Sequence, residues 1–112
     1  MRGTVTIAGV PVELKATAST IRKYRNWFGR DLIKDFKMIQ TEFTNGGEVS
    51  TDIIEMVENL TYVMAKQANP TITSNIDDWL DQFETFPIEE FAVDVVMLWA
   101  KSIQSDVELK NV

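Results

Sequence analysis

The 112-residue chain contains neither cysteine nor histidine. The absence of cysteine excludes disulfide bonds, thiol nucleophiles and thiolate metal ligands. The absence of histidine removes the most frequent general base and metal ligand. Long apolar runs are also lacking, because Asp94 interrupts the longest one, from Phe91 to Ala100, which falls well short of the ~20 residues that span a bilayer. The composition therefore predicts a protein without a transmembrane segment and leaves few routes to catalysis.

Charge is distributed unevenly along the chain, whose formal net charge is −6. Residues 1–37 contain eight basic and three acidic residues, which gives +5. Residues 38–69 contain one and five, giving −4, and residues 70–112 contain two and nine, giving −7. This asymmetry predicts complementary surfaces, either within one fold or between copies of it.

Alternating polar and apolar residues at the N terminus predict a β-hairpin over about residues 4–16. Gly9 separates the two alternating runs and supplies the turn, and Pro11 places the second strand at an edge. A lone hairpin is marginal in water, so this one is expected to pack on helices. The buried side of the hairpin is predicted to hold Val5, Ile7, Val10, Val12 and Leu14.

Four helices are predicted to follow the hairpin, over about residues 20–43, 51–68, 75–84 and 87–104. The caps are Ser19 or Thr20 for the first helix, Ser50 or Thr51 for the second and Ser74 for the third. Apolar residues three and four apart define the inner faces of the first three helices. These faces comprise Ile21, Tyr24, Phe28, Leu32, Phe36, Ile39 and Phe43 in the first; Ile53, Met56, Val57, Leu60, Val63 and Met64 in the second; and Ile76, Trp79, Leu80 and Phe83 in the third.

The fourth helix is apolar around most of its circumference, which predicts that it occupies the centre of the fold. Pro87 suits its first turn, and the tail from Ser105 is expected to fray. The resulting prediction is a mainly α, α+β protein forming one domain over residues 1–112. In it, an N-terminal β-hairpin packs on a bundle of about four helices.

Gly29 is the unusual residue of the predicted first helix, because glycine costs ~1 kcal/mol relative to alanine within a helix. It lies beside the apolar stripe. Close approach of the hairpin or of the fourth helix would explain a residue without a side chain there, and this is the explanation that we favour. The alternatives are a glycine tolerated within the helix and a helix break at Gly29.

Basic residues of the first helix point away from its apolar stripe and form a basic face, comprising Lys23, Arg30, Lys34 and Lys37. Such a face is most often a solvated surface. The functional alternative is a docking face for an acidic partner, which includes the acidic second half of another copy. Nucleic acid is a weaker alternative, because the chain is acidic overall and has no recognisable nucleic-acid-binding module.

Three further side chains, Trp27, Met38 and Tyr62, lie at the borders of the predicted inner faces, with Tyr62 on the polar face of the second helix. Side chains at such borders either anchor a partner or cover the edge of the core.

Two clusters of carboxylates occur in the second half of the chain, at Asp77, Asp78 and Asp81 and at Glu89 and Glu90. Paired carboxylates can perform acid–base chemistry or bind a hard cation. Both clusters, however, fall in first turns of predicted helices, where the helix dipole favours negative charge. No nucleotide-binding or nucleophile motif is present. The sequence therefore predicts no catalytic residue, no metal site and no cofactor.

A specific likeness lies in "VELKAT" followed by "IRKYRNWFGRDLIKDF". The segments Arg22–Arg25, Phe28–Asp31 and Leu32–Asp35 match the run of a helix that follows a short strand pair in one protein family. The acidic second half, with "DDWLDQF" and "FAVDVVMLWAKS", is similar in character. On these residues the chain resembles the tail assembly chaperones of long-tailed phages and prophages of Gram-positive bacteria. The likeness covers most of the chain and is specific over residues 12–36.

The resemblance implies a non-enzymatic protein of the host bacterial cytoplasm. It would bind the helical tape measure protein, keep it soluble and help to recruit the tail tube protein, and it would be absent from the mature virion. A chain of this length would suit the short product of a programmed frameshift. On this hypothesis the partner-binding strip consists of Tyr24, Trp27, Arg30, Lys34 and Met38. Self-association is a further expectation, whereas nucleic acid and membranes are not expected partners.

Two alternative functions belong to other classes. One is a structural tail or head–tail connector component that is retained in the virion. The other is a small nucleic-acid-binding regulator that uses the basic helix, for which steeply salt-dependent binding to random duplex would be diagnostic.

Overall fold

The fold is an N-terminal antiparallel hairpin packed on helices, as the sequence predicts. The computed structural model describes residues 1–46 and 48–110, and in the last helix it describes side chains as far as Ile103. The elements are β1 (Arg2–Ile7), β2 (Val10–Lys15), α1 (Thr20–Phe28), α2 (Leu32–Asn45), α3 (Thr51–Ala68), α4 (Ile76–Leu80) and α5 (Ile88–Lys110).

The hairpin pairs Arg2 with Lys15 at its open end and Ile7 with Val10 beside the turn. Both turn residues have positive φ, 50° for Ala8 and 81° for Gly9, which is the backbone of a type I′ turn. One face of the ladder is buried through four of the five predicted residues, Val5, Ile7, Val12 and Leu14. The prediction is wrong for Val10, which is 37% exposed because it lies at the hairpin tip.

The predicted first helix is two helices, which meet at Gly29. This residue adopts the left-handed conformation, with φ of 67°, and its N–H donates to the carbonyl oxygen of Arg25 at 2.8 Å. Glycine is favoured there because it has no Cβ to clash. No heavy atom lies within 4 Å of the position that a Cβ would occupy. Close packing at Gly29 was therefore the wrong prediction, and the helix break is the correct one.

The predicted inner and outer faces persist through this break. Asp31 caps α2, because its side chain accepts hydrogen bonds from the backbone N–H groups of Ile33 and Lys34. The cap of α2 therefore follows the residue that closes α1, Gly29, by only two positions. Each short helix is amphipathic by itself and buries its own part of the stripe. Tyr24, Leu32 and Ile39 are fully buried, and Ile21, Phe28, Phe36 and Phe43 are partly buried against them.

The close approach expected at Gly29 is found instead at Gly3, on β1. A Cβ at Gly3 would stand 3.3 Å from Cδ2 of Leu98 on α5. β1 therefore lies directly against α5, while β2 packs against α3.

The helix α3, and not α5, occupies the centre of the fold. It packs against β2 and against each of the other four helices. Its N-cap is Ser50, whose side chain accepts from the N–H of Ile53. All six predicted inner residues of this helix are buried, together with Asn59, Thr61, Tyr62 and Ala65. The prediction that the last helix is central was wrong, because Val93 and Met97 on α5 are 56% and 43% exposed.

The last two helices differ from the prediction in their bounds. The short helix α4 is capped by Asn75 and not by Ser74, and it ends at Leu80, well before residue 84. Trp79 and Phe83 are nevertheless buried as predicted. α5 begins directly after Pro87 and continues to Lys110, beyond the predicted end at about residue 104. Asn111 and Val112 lie outside the described residues.

Candidate partner-binding surface

The corner between α1 and α2 is built around the carboxylate of Asp35, which is 3% exposed. The Tyr24 hydroxyl donates to Oδ2 at 2.6 Å. Arg30 donates from Nε to Oδ2 at 2.7 Å and from Nη2 to Oδ1 at 3.0 Å. Such a bidentate pair fixes the orientation of both side chains. One buried carboxylate therefore joins α1, the connecting turn and α2.

The same contacts shift the ionisation of both donors. Burial, followed by the hydrogen bond to Asp35, raises the pKa of Tyr24 well above its ordinary value. The hydrogen bond to Asp35 likewise raises the pKa of Arg30. Both side chains therefore keep their protons at any physiological pH and hold the corner together.

The motif that carries the family resemblance is thus largely a folding motif. Gly29 ends α1, Asp31 begins α2, and Arg30 and Asp35 fasten the two helices. Within "FGRDLIKD", the charged groups of Arg30, Asp31 and Asp35 are engaged within the chain, whereas Lys34 is exposed.

The structure divides the predicted binding strip into residues that are engaged within the fold and residues that are exposed. Tyr24 is a wrong assignment, because it is 0% exposed and its hydroxyl is bonded to Asp35. The guanidinium of Arg30 is committed to the same carboxylate, although its side chain is 44% exposed. Trp27, Lys34 and Met38 remain exposed. They do not form one continuous stripe, since Trp27 lies on α1 whereas Lys34 and Met38 lie one turn apart on α2.

Trp27 forms one wall of an open groove of about 420 Å³ between α1, α3 and the segment leading into α4. Its ring lies 6.0 Å from that of Tyr62, measured between centroids. The prediction placed Tyr62 on a polar face, but it is 3% exposed because Trp79 of α4 covers it, with ring centroids 5.5 Å apart. The groove is lined by Trp27, Phe28, Tyr62, Lys66, Ser74 and Ile76.

Two hydrogen bonds secure the segment beside this groove to α3. The Tyr62 hydroxyl donates to the carbonyl oxygen of Thr73, and the Lys66 ammonium donates to that of Ile72. Burial raises the pKa of Tyr62, which keeps the donating proton in place. The groove of Trp27 is therefore preformed, with one exposed indole at its edge.

A second groove, of about 190 Å³, lies between α2 and α5, which both pack on α3. Buried Ile39 and Val96 form its floor, and Val93 and Met97 stand exposed along its α5 side. Its full lining is Ile39, Gln40, Phe43, Thr44, Val93, Val96 and Met97. We call it the α2–α5 groove.

The two helices run antiparallel along this groove. Phe36 packs edge-on against Trp99, with ring centroids 5.0 Å apart, while the later residues of α2 line the groove together with earlier residues of α5. The indole Nε1 of buried Trp99 has no acceptor among the described residues.

Exposed charges of opposite sign stand at the two ends of the α2–α5 groove. Glu89 and Glu90 precede Val93 by one helical turn of α5. Lys37 precedes Gln40 by one turn of α2, and Lys101 follows Met97 by one turn of α5. Because α2 and α5 are antiparallel, the two glutamates mark one end of the groove and the two lysines mark the other.

Sequence reasoning missed this groove because it placed α5 at the centre of the fold. The signal was nevertheless present in the sequence. An apolar circumference too wide for a single buried face indicates either a central helix or a helix with a second, open apolar face.

Comparison of the chain with family models, with curated proteins and with solved structures yields no match. Within residues 1–46 and 48–110, no helix has both the length and the apolar character needed to cross a membrane. The same residues bring together no group of three or more carboxylates that could hold a metal ion. The apolar surfaces considered below are the groove of Trp27 and the α2–α5 groove.

Proposed function

We propose that this protein is a tail assembly chaperone of a long-tailed phage or prophage of a Gram-positive bacterium. It binds the tape measure protein in the host cytoplasm, keeps it soluble, assists the tail tube protein to assemble around it and leaves before the virion matures. It performs no catalysis. The resemblance over residues 12–36 supports the family, and the open α2–α5 groove is the single structural observation that supports the binding role.

The α2–α5 groove suits an amphipathic helix. Two antiparallel helices with apolar floors and an exposed apolar edge can receive a third helix whose anchor residues recur every three or four positions. Met97 stands at this edge, and methionine adapts to differently shaped partners because it is unbranched and polarizable. A tape measure protein presents many such helical segments in succession, so one adaptable groove serves all of them.

The small size of the groove fits a temporary partner. With about 190 Å³ available, only one or two anchor side chains are buried at a time, so each contact is modest in affinity. Tail tube subunits could then displace the chaperone without a separate energy source. We further propose that Trp27, Lys34 and Met38, the exposed part of the predicted strip, make secondary contacts.

Co-expression with the tape measure protein of the same genome tests this proposal. We expect Met97→Lys, and separately Val93→Lys, to lower the soluble fraction of the tape measure protein several-fold, because each places a charge in the apolar groove. Both residues are exposed, so both variants should remain folded. Val10→Lys is the matched control, since it makes the same kind of change at an exposed apolar residue of the hairpin tip.

The possible outcomes distinguish a wrongly assigned binding site from a wrongly proposed function. If both groove variants keep the tape measure protein as soluble as Val10→Lys does, the groove is not the site, and Trp27→Ala with Lys34→Glu then tests the exposed strip. If the wild-type chain itself has no effect on solubility, the proposed function is wrong. Mass spectrometry of purified virions should find no stoichiometric copy of the chain; finding one would favour a structural tail or connector component.

A further inference from the structure

The α2–α5 groove is complementary to itself. One end is marked by Glu89 and Glu90 and the other by Lys37 and Lys101; apolar Val93 and Met97 lie between them, with exposed Asp94 next to Val93 on α5. Consider a twofold axis that lies in the interface and runs at right angles to the long direction of the groove. It brings the acidic end of one copy onto the basic end of the other, and it does so at both ends of the interface. An isologous contact of this kind pairs the opposite charges at both ends at once.

We propose that two copies of this chain pair through their α2–α5 grooves about such a twofold axis. The side chain of Met97 projects from the edge of the groove and is 43% exposed, while the groove beside it is open. In the pair, the exposed methionine of each copy enters the groove of the other. Burial of Val93 and Met97 supplies the apolar contribution, and the charged ends fix the antiparallel register and exclude a parallel one.

The charge distribution of the whole chain favours a second copy as the occupant. The N-terminal third is net positive and the remainder is net negative. At the groove, exposed Lys37 of α2 and the acidic first turn of α5 border the same apolar surface. A complementary partner must present basic groups opposite the acidic end of the groove and acidic groups opposite its basic end. A second copy of the chain, rotated by half a turn, presents its charges in this arrangement.

Pairing gives the proposed chaperone a resting state, and this part of the inference rests on the proposed function. A free copy would expose Val93 and Met97 to water and to other proteins, whereas a paired copy covers them. A tape measure helix and a second copy then compete for the same groove. The protein is released as monomers only when the helical partner is present, which limits unspecific binding.

The purified chain alone tests the pairing, by sedimentation equilibrium or light scattering over a concentration series. We expect the wild type and Val10→Lys to dimerise and Met97→Lys to remain monomeric. We also expect two charge-reversed variants, Glu89→Lys/Glu90→Lys and Lys37→Glu/Lys101→Glu, to dimerise at least about tenfold more weakly, because each then meets like charges at both ends.

Mixing the two charge-reversed variants provides the decisive measurement. One variant has two basic ends and the other has two acidic ends. The mixture should therefore form a heterodimer at concentrations at which neither variant forms a homodimer, and added salt should weaken that heterodimer. Failure of the mixture to associate, or a wild type that stays monomeric over the whole series, would overturn the pairing.

The proposed competition between a second copy and a tape measure helix for the groove is tested separately, by the solubility of the tape measure protein. The charge-reversed variants are expected to pair weakly but retain the apolar groove, so co-expression should show that they still keep the tape measure protein soluble. If both lose that activity while their heterodimer forms, pairing is correct but competition is wrong. If the wild type dimerises but never affects the tape measure protein, the pairing stands and the proposed function fails.

Discussion

At the scale of single residues, Asp35 determines how α1 meets α2. Its carboxylate is almost fully buried and accepts three hydrogen bonds, from Tyr24 and from two nitrogens of Arg30. A buried carboxylate is tolerated only when it is paired in this way. The sequence places these residues in a basic, aromatic helix, but their mutual contact could not be predicted. It depends on the turn at Gly29, which brings Arg30 back toward α2.

Replacing Asp35 should therefore weaken the whole fold. We expect Asp35→Asn to lower the free energy of unfolding by about 2–3 kcal/mol, because the Tyr24 hydroxyl and the Arg30 guanidinium lose their charged acceptor. Urea unfolding followed by circular dichroism measures the change. Asp31→Ala, which removes only the cap of α2, should cost about 1 kcal/mol. Equal effects of the two substitutions would contradict a central role for Asp35.

Glu58 should make stability depend on pH in the opposite sense to a paired carboxylate. It is half-buried on α3, and burial, followed by the negative charges of Glu55 and Asp77, raises its pKa. A group whose pKa is raised on folding contributes most to stability below the pKa of the unfolded chain. That contribution is lost as the pH rises through the higher folded pKa.

We accordingly expect Glu58→Gln to raise the melting temperature at neutral pH by roughly 1–4 °C. The gain should disappear near about pH 3, where the wild-type carboxyl is protonated in both states. Calorimetry at several pH values measures both effects. Glu84→Gln, at an exposed position, is the control and should change little. A gain that is constant over the whole pH range would show that the raised pKa is not its cause.

At the scale of elements, the sequence predicts which face of a helix is buried better than it predicts where the helix begins and ends. The inner residues of the first three helices are all buried or partly buried, as expected, because a spacing of three and four depends only on local helical geometry. The break at Gly29 was available as the alternative: a glycine that can close one helix is followed two residues later by an aspartate that can cap the next. The continuous apolar stripe obscured it, since two successive amphipathic helices produce the same spacing as one long helix.

The substitution Gly29→Ala distinguishes a helix end from close packing. We expect it to cost only about 1–2 kcal/mol, the strain of a left-handed backbone for a residue with a Cβ, because no atom stands within 4 Å of the new methyl group. Gly29→Asn should cost less, since asparagine tolerates this conformation. Thermal unfolding of both variants provides the measurement. A considerably larger loss for alanine would indicate a steric clash that the structure does not contain.

At the scale of the whole molecule, the sequence does not reveal which helix is central. α3 and α5 are both rich in apolar residues, and composition alone favours α5. The decision is made by tertiary packing: α3 is enclosed by β2 and the other four helices, so its polar Asn59 and Thr61 are buried, while α5 retains an open apolar side. The candidate site could not be predicted for the same reason, because it exists only where α2 and α5 come to lie side by side on α3.

The three tryptophans of the chain differ sharply in their surroundings. Trp27 is 41% exposed, whereas Trp79 and Trp99 are 3% and 0% exposed. The protein therefore carries an intrinsic optical reporter, since a soluble quencher such as iodide reaches the indole of Trp27 but not the other two. A ligand seated over α1 would shield that fluorescence, whereas association through α2 and α5 would leave it accessible, so the two surfaces can be distinguished without a label.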